Sequence, residues 1–203
     1  MIANPLKMIH RLHTHALLLF SVTLLPFTPL MVVRAEDTKP KPDAFRTAVI
    51  YDDVFLEHDT GPGFPEHADR LRRLTKHLKE HPVSTRLLWT APNEKTDPVP
   101  WIKAIHDPGY VADLQRACEA GEKEMHGSAD TPISKRTYEV ATRAVAGSLT
   151  AVDLVMEGRV TNAFVASRPP GHHAMPAKAK GFCFFANAAI AARYAQKHHK
   201  LER

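Results

Sequence analysis

The chain has 203 residues, 44% of them hydrophobic and 24% charged, which excludes a disordered or fibrous protein and suits one domain with its own core. Its net charge of +5 is unevenly placed: residues 1–35 hold Lys7, Arg11 and Arg34 and no acid, whereas the remainder holds 24 bases against 22 acids. A body that near to neutral, with no basic stripe interleaved with aromatics, excludes a nucleic-acid footprint.

The N-terminus reads as an export signal. Lys7 and Arg11 precede the apolar run Ala16–Phe27, and Val33-Arg34-Ala35 places small residues where a signal peptidase cleaves. The alternative is an uncleaved anchor, because no charge interrupts Ala16–Val33; Pro26 and Pro29 weaken a continuous helix there. The expected organisation is a signal peptide or anchor over 1–35, a polar, Pro-rich linker over 36–46 and a domain over 47–203. Membrane contact is expected only through the first segment, and the expected location is periplasmic or secreted.

Thr47–Tyr51 is a short β-branched run and predicts the first strand. Residues 57–66 are rich in turn formers. Leu71, Leu74 and Leu78 then predict an amphipathic helix over 67–81, stopped by Pro82. A second strand is expected at 86–89, and two helices at 99–105 and 108–120. Residues 127–132 read as loop. A long helix follows over 134–156, with Ser134 as N-cap, Gly158 just past its end and a small-residue face of Ala141, Ala144, Val145, Ser148, Val152 and Val155. Asn162–Ser167 predicts a central strand and Asn187–His199 a last helix. This alternation predicts a doubly wound α/β fold with a mostly parallel sheet. Cys118 and Cys183 are too few for a disulfide framework and read as separate buried thiols.

The densest chemistry follows the last predicted strand. Arg168-Pro169-Pro170-Gly171-His172-His173-Ala174 and then Gly181-Phe182-Cys183-Phe184-Phe185 place two histidines on a Pro/Gly turn at a strand end. Histidine exchanges protons near neutral pH, so such a pair suits a general base beside an electrostatic partner. His198-His199 is a second pair, in a polar context that solvation explains.

Residues 167–174 (SRPPGHHA) with 181–187 (GFCFFAN) resemble the signature of the histone deacetylase and acetylpolyamine amidohydrolase family, in its class II-like bacterial branch. Residues 60–72 (TGPGFPEHADRLR), 106–111 (HDPGYV) and 130–134 (DTPIS) resemble further family segments in the family's order. The resemblance implies an arginase/deacetylase-like fold and zinc-dependent removal of acetyl or acyl groups from lysine or polyamine-type amines. It implies His173 as general base and then acid, His172 as its electrostatic neighbour, Phe182 and Gly181 as lining of an acyl-lysine channel, and Asp130 as a rim carboxylate that binds substrate. Two departures stand out: Ala186 replaces a usual asparagine, and Phe64 a common histidine of the entrance loop.

The family's zinc ligands have no counterpart at the expected place before Arg203, and His10, His58 and His126 are not substitutes for them. The expectation is therefore a fold truncated before the metal-ligand strands, with no zinc ligands in the chain. An incomplete catalytic domain follows, whose enzymatic status is uncertain. The alternative is an inactive deacetylase-like protein that serves as a binding module.

Overall fold

The computed structural model describes residues 47–125 and 128–202; the expected signal and linker segments lie outside them. No helix among these residues is long and apolar enough to cross a membrane.

Strand β1 (Thr47–Ile50) pairs in parallel with β2 (Leu87–Thr90), reached through helix α1 (Ala68–Glu80) and a 3-10 turn at Pro82–Arg86. The chain continues through α2 (Val99–Lys103), α3 (Pro108–Ala120), the antiparallel pair β3 (Glu124–Met125) and β4 (Ser128–Pro132), and the long α4 (Thr137–Met156). Strand β5 (Asn162–Val165) then pairs in parallel with β1, and α5 (Asn187–His198) closes the described residues. The sheet order is β2-β1-β5, so β1 and not β5 is central among the described strands.

Local signals account for several boundaries. Asp107 caps α3 by accepting from the Tyr110 amide at 3.0 Å, Pro108 fills its first turn, and Gly121 ends it in the left-handed region at φ 75°. Tertiary packing overrides others. In α1 the buried residues are Leu71 and Thr75, while Leu74 is exposed. Helix α4 begins at Thr137, because the Thr137 hydroxyl accepts from the Ser134 amide and ties off the preceding turn. Residues 128–132, read as loop, form β4: their polar composition hid a strand held by pairing to β3 and by the Ser128 hydroxyl donating to Ala179 O.

Helix α4 organises the core. A Cβ on Gly147 would stand 3.3 Å from both Ile50 Cγ2 and Val165 Cγ1, so the helix backbone lies almost on the ends of β1 and β5. Val140 and Ala144 pack with Val49, Phe55 and Leu71. Ala141, Val145 and Leu149 join Leu114, Phe184, Phe185 and Ile190. The helix is therefore buried between sheet and helices over much of its length; Val155, near its end, is exposed. Both cysteines are buried and free.

Candidate functional site: the loop after β5 and its supports

Where β5 ends, Ala166 still donates to Ile50 O at 2.9 Å, and the chain then turns at Arg168. Arg168 is buried and holds the turn from beneath. Its Nε and Nη2 donate to the two carboxylate oxygens of Glu66 at 2.7 and 2.8 Å. Its Nη1 donates to Phe55 O at 3.2 Å and His58 O at 2.9 Å. This fork ties the entrance loop before α1 to the base of the histidine loop. Beside it, burial pushes the His58 imidazole down to about 4, so His58 is neutral near pH 7; its Nδ1 lies 2.9 Å from the Thr137 hydroxyl.

Gly171 is required by space. A Cβ there would come within 2.4 Å of Phe185 O and 2.8 Å of the Asn187 amide nitrogen, both backbone atoms that cannot easily yield. Directly after it stand His172 and His173, both exposed, with ring centroids 4.2 Å apart at 58°. Gly181 returns to this point at φ 54°, where a Cβ would meet His173 Cδ2 at 2.8 Å. Phe182 is also left-handed, at φ 64°, an unusual state for an aromatic residue. Two bonds from β4 support it: Gly181 N–H donates to Asp130 Oδ2 at 3.2 Å, and Phe182 N–H to the Thr131 hydroxyl at 3.3 Å. The Thr131 hydroxyl and the Gly181 amide hold the Asp130 carboxyl below its ordinary range. All five residues picked out by the sequence thus belong to one connected patch. Asp130 fastens Gly181 rather than capping the helix that follows.

His106 supplies a support that sequence reasoning missed. Its Nε2 accepts from the Ala186 amide at 2.9 Å, which leaves the proton on Nδ1 to donate to Met175 O at 3.0 Å, with Pro176 O at 3.2 Å. Asp107 N–H donates to Pro176 O at 2.9 Å, and the Tyr110 hydroxyl donates to Phe184 O at 2.9 Å. One helix start therefore grips both legs of the loop. Burial holds His106 below its ordinary range and keeps it in this neutral form. The sequence signal was the His-Asp-Pro-Gly-Tyr run, but its partners lie some seventy to eighty residues away. Phe64 packs edge-on against Phe182, centroids 5.8 Å apart, so the residue that departs from the expected histidine meets Phe182 ring to ring.

The expected absence of metal ligands is overturned. Asp153, His198 and His199 present ligand atoms that all lie within 4.8 Å of one another. One carboxylate and two imidazoles are a donor set that suits a zinc-type ion. The expectations of a fold cut off before its metal ligands, of an incomplete catalytic domain and of a chain without zinc ligands all rested on that absence, which this cluster overturns. Those expectations looked for ligands carried on strands. Here the donors sit on α4 and at the end of α5, 45 residues apart in the chain, and meet because the two helices pack together. Solvation does not explain His199, which is partly buried and bonds Asp153 at 2.7 Å, whereas His198 is exposed. The cluster stands apart from the histidine loop: Gly171 touches the start of α5 and His198 ends it, with roughly 16 Å of helix between them at 1.5 Å per residue.

Comparison with known proteins agrees with this geometry. The family model described as the histone deacetylase domain matches residues 64–203. An uncharacterised protein of Synechocystis is 40% identical over 157 residues, covering 77% of this chain and 51% of that protein. A histone deacetylase-like amidohydrolase of Pseudomonas aeruginosa is 32% identical over 176 residues, covering 78% of this chain and 45% of that protein. Among solved structures, the HD domain of HDA15 superposes with a TM-score of 0.66 at 27% identity, covering 76% of this chain and 44% of that one. The chain thus spans about half the length of the curated relatives it matches. With an arginase/deacetylase-like, mostly parallel α/β fold and the histidine loop seated at the end of β5, the chain belongs to the histone deacetylase family.

Proposed function

We propose that the protein is an amide hydrolase of the deacetylase type, acting on acylated amines such as acetyl-lysine or acetylated polyamines. The observation that carries this reading is the convergence of His172 and His173 with Gly181, Phe182 and Asp130 on one loop cradled by β4, α3 and the Arg168–Glu66 fork. His173, packed against Gly181, serves as general base and then acid, taking a proton from the attacking water and returning it to the leaving amine. His172 stands against it as its electrostatic neighbour. Phe182, backed by Phe64, offers an apolar wall to an aliphatic stem, and Asp130 offers a carboxylate to substrate N–H groups at the rim.

In this class of chemistry a bound zinc ion lowers the pKa of water and polarises the carbonyl. Asp153, His198 and His199 fit such an ion by donor type, but they lie at the other end of α5 from His173. The N-terminal segment would carry the protein out of the cytoplasm, which favours small acylated amines over chromatin as substrates.

The test is acetate release by the full chain from an acetyl-lysine amide and from an N-acetylated polyamine. Hydrolysis of at least one, reduced about 100-fold or more by His173→Ala with an unchanged circular dichroism spectrum, is the expected result. Hydrolysis of neither, or full activity in His173→Ala, overturns the reading.

A further inference from the structure

The Asp153–His198–His199 cluster is not accounted for by the hydrolytic reading, and its construction is specific. Asp153 and His199 are only 16% exposed at their side chains, whereas His198 is open to solvent. Asp153 Oδ1 accepts from the buried Tyr194 hydroxyl at 2.8 Å and lies 2.7 Å from His199 Nε2. The His198 ring stacks on Tyr194 at 9° with centroids 4.8 Å apart, and meets His199 edge-on at 4.8 Å. A simple ion pair explains the Asp153–His199 contact. It does not explain why a second imidazole, held by the same tyrosine, converges on the same point.

We propose that Asp153, His198 and His199 form a zinc-type metal site, separate from the histidine loop, that fastens the end of α5 to α4. Three properties carry it. The donor set of one carboxylate and two imidazoles favours zinc or a neighbouring transition ion over magnesium or calcium, which prefer oxygen ligands. Tyr194 bonds the carboxylate ligand and stacks on one imidazole, the role that outer partners play in orienting metal ligands. The open side at His198 admits a water as fourth ligand, and the helix C-terminus contributes a favourable negative field for a cation. Tetrahedral ligands about 2.0–2.1 Å from zinc stand roughly 3.3 Å apart. The His199–Asp153 pair must therefore open slightly and His198 swing inward, a rotation its exposed position allows.

The proposal concerns binding and does not depend on any hydrolytic activity. The untagged full chain is titrated with Co(II) and then Zn(II), reading the visible ligand-field band of four-coordinate Co(II) and the heat of binding. One equivalent should bind, with the band displaced by zinc. His198→Ala and His199→Ala should each weaken zinc binding at least about 10-fold, and Tyr194→Phe, which keeps the ring but removes the hydroxyl, should also weaken it about 10-fold. His172→Ala should leave it unchanged. Absence of a band in the unaltered chain, or zinc affinity undiminished in His198→Ala or His199→Ala, overturns the proposal. His198 is exposed, so its variant keeps the fold and its loss of binding reports on the site itself.

Discussion

Glu66→Gln removes the charge from one side of the Arg168 fork while keeping shape and most hydrogen-bonding capacity. The two side chains are 4% and 5% exposed, so the guanidinium left behind cannot be solvated where it stands. Breaking a buried pair from one side costs about 3–5 kcal/mol, because the remaining charge is uncompensated. With a urea m-value of about 2 kcal/mol/M for a domain of this size, the unfolding midpoint should fall by roughly 1.5–2.5 M. Arg168→Met should cost at least as much, since Phe55 O and His58 O also lose their donor. The double variant Glu66→Gln/Arg168→Met leaves no orphaned charge and should cost less than the two singles together, by at least about 2 kcal/mol. The assay is equilibrium urea unfolding of all four proteins, monitored by circular dichroism. A midpoint shift below about 0.5 M for Glu66→Gln would refute the reasoning, because it would mean that the fork relaxes into solvent when its partner is neutralised.

Two further outcomes follow from the same supports. His58 is held neutral when folded, with its pKa lowered from 6.5 to about 4 chiefly by burial, while the unfolded chain protonates it normally. Between those values the unfolded state binds more protons, so this contribution is fully present above pH 6.5 and lost as pH falls towards 4. It amounts to about 3 kcal/mol. His58→Gln should flatten urea midpoints measured from pH 7 to pH 4.5; an unchanged slope would locate the acid sensitivity elsewhere. Gly171→Ala should destabilise by about 1–3 kcal/mol, since its Cβ would press on Phe185 O at 2.4 Å. Gly158→Ala is the control: it has positive φ but no atom within 4 Å of its Cβ, and should cost about 1 kcal/mol. Thermal melts showing Gly171→Ala no worse than Gly158→Ala would remove the steric argument.

The sequence by itself determined what depends on neighbours along the chain. The Asp107-Pro108 start and Gly121 stop of α3 obey local hydrogen bonding and left-handed glycine geometry, so they were legible without a fold. The β-branched run at 47–50 and the Gly-His-His and Gly-Phe-Cys-Phe-Phe segments carry their meaning in residue order, and they pointed to the family. Tertiary structure decided whatever depends on partners far apart in the chain. Residues 128–132 became a strand because β3 and Ala179 complete their hydrogen bonds, which no periodicity announces. His106 became a clamp on residues 175–186, and Arg168 a fork on Glu66, 102 residues earlier. The Asp153–His198–His199 cluster was invisible for the same reason. Its donors have no motif spacing, and only the packing of α4 against α5 brings a carboxylate and two imidazoles to one point.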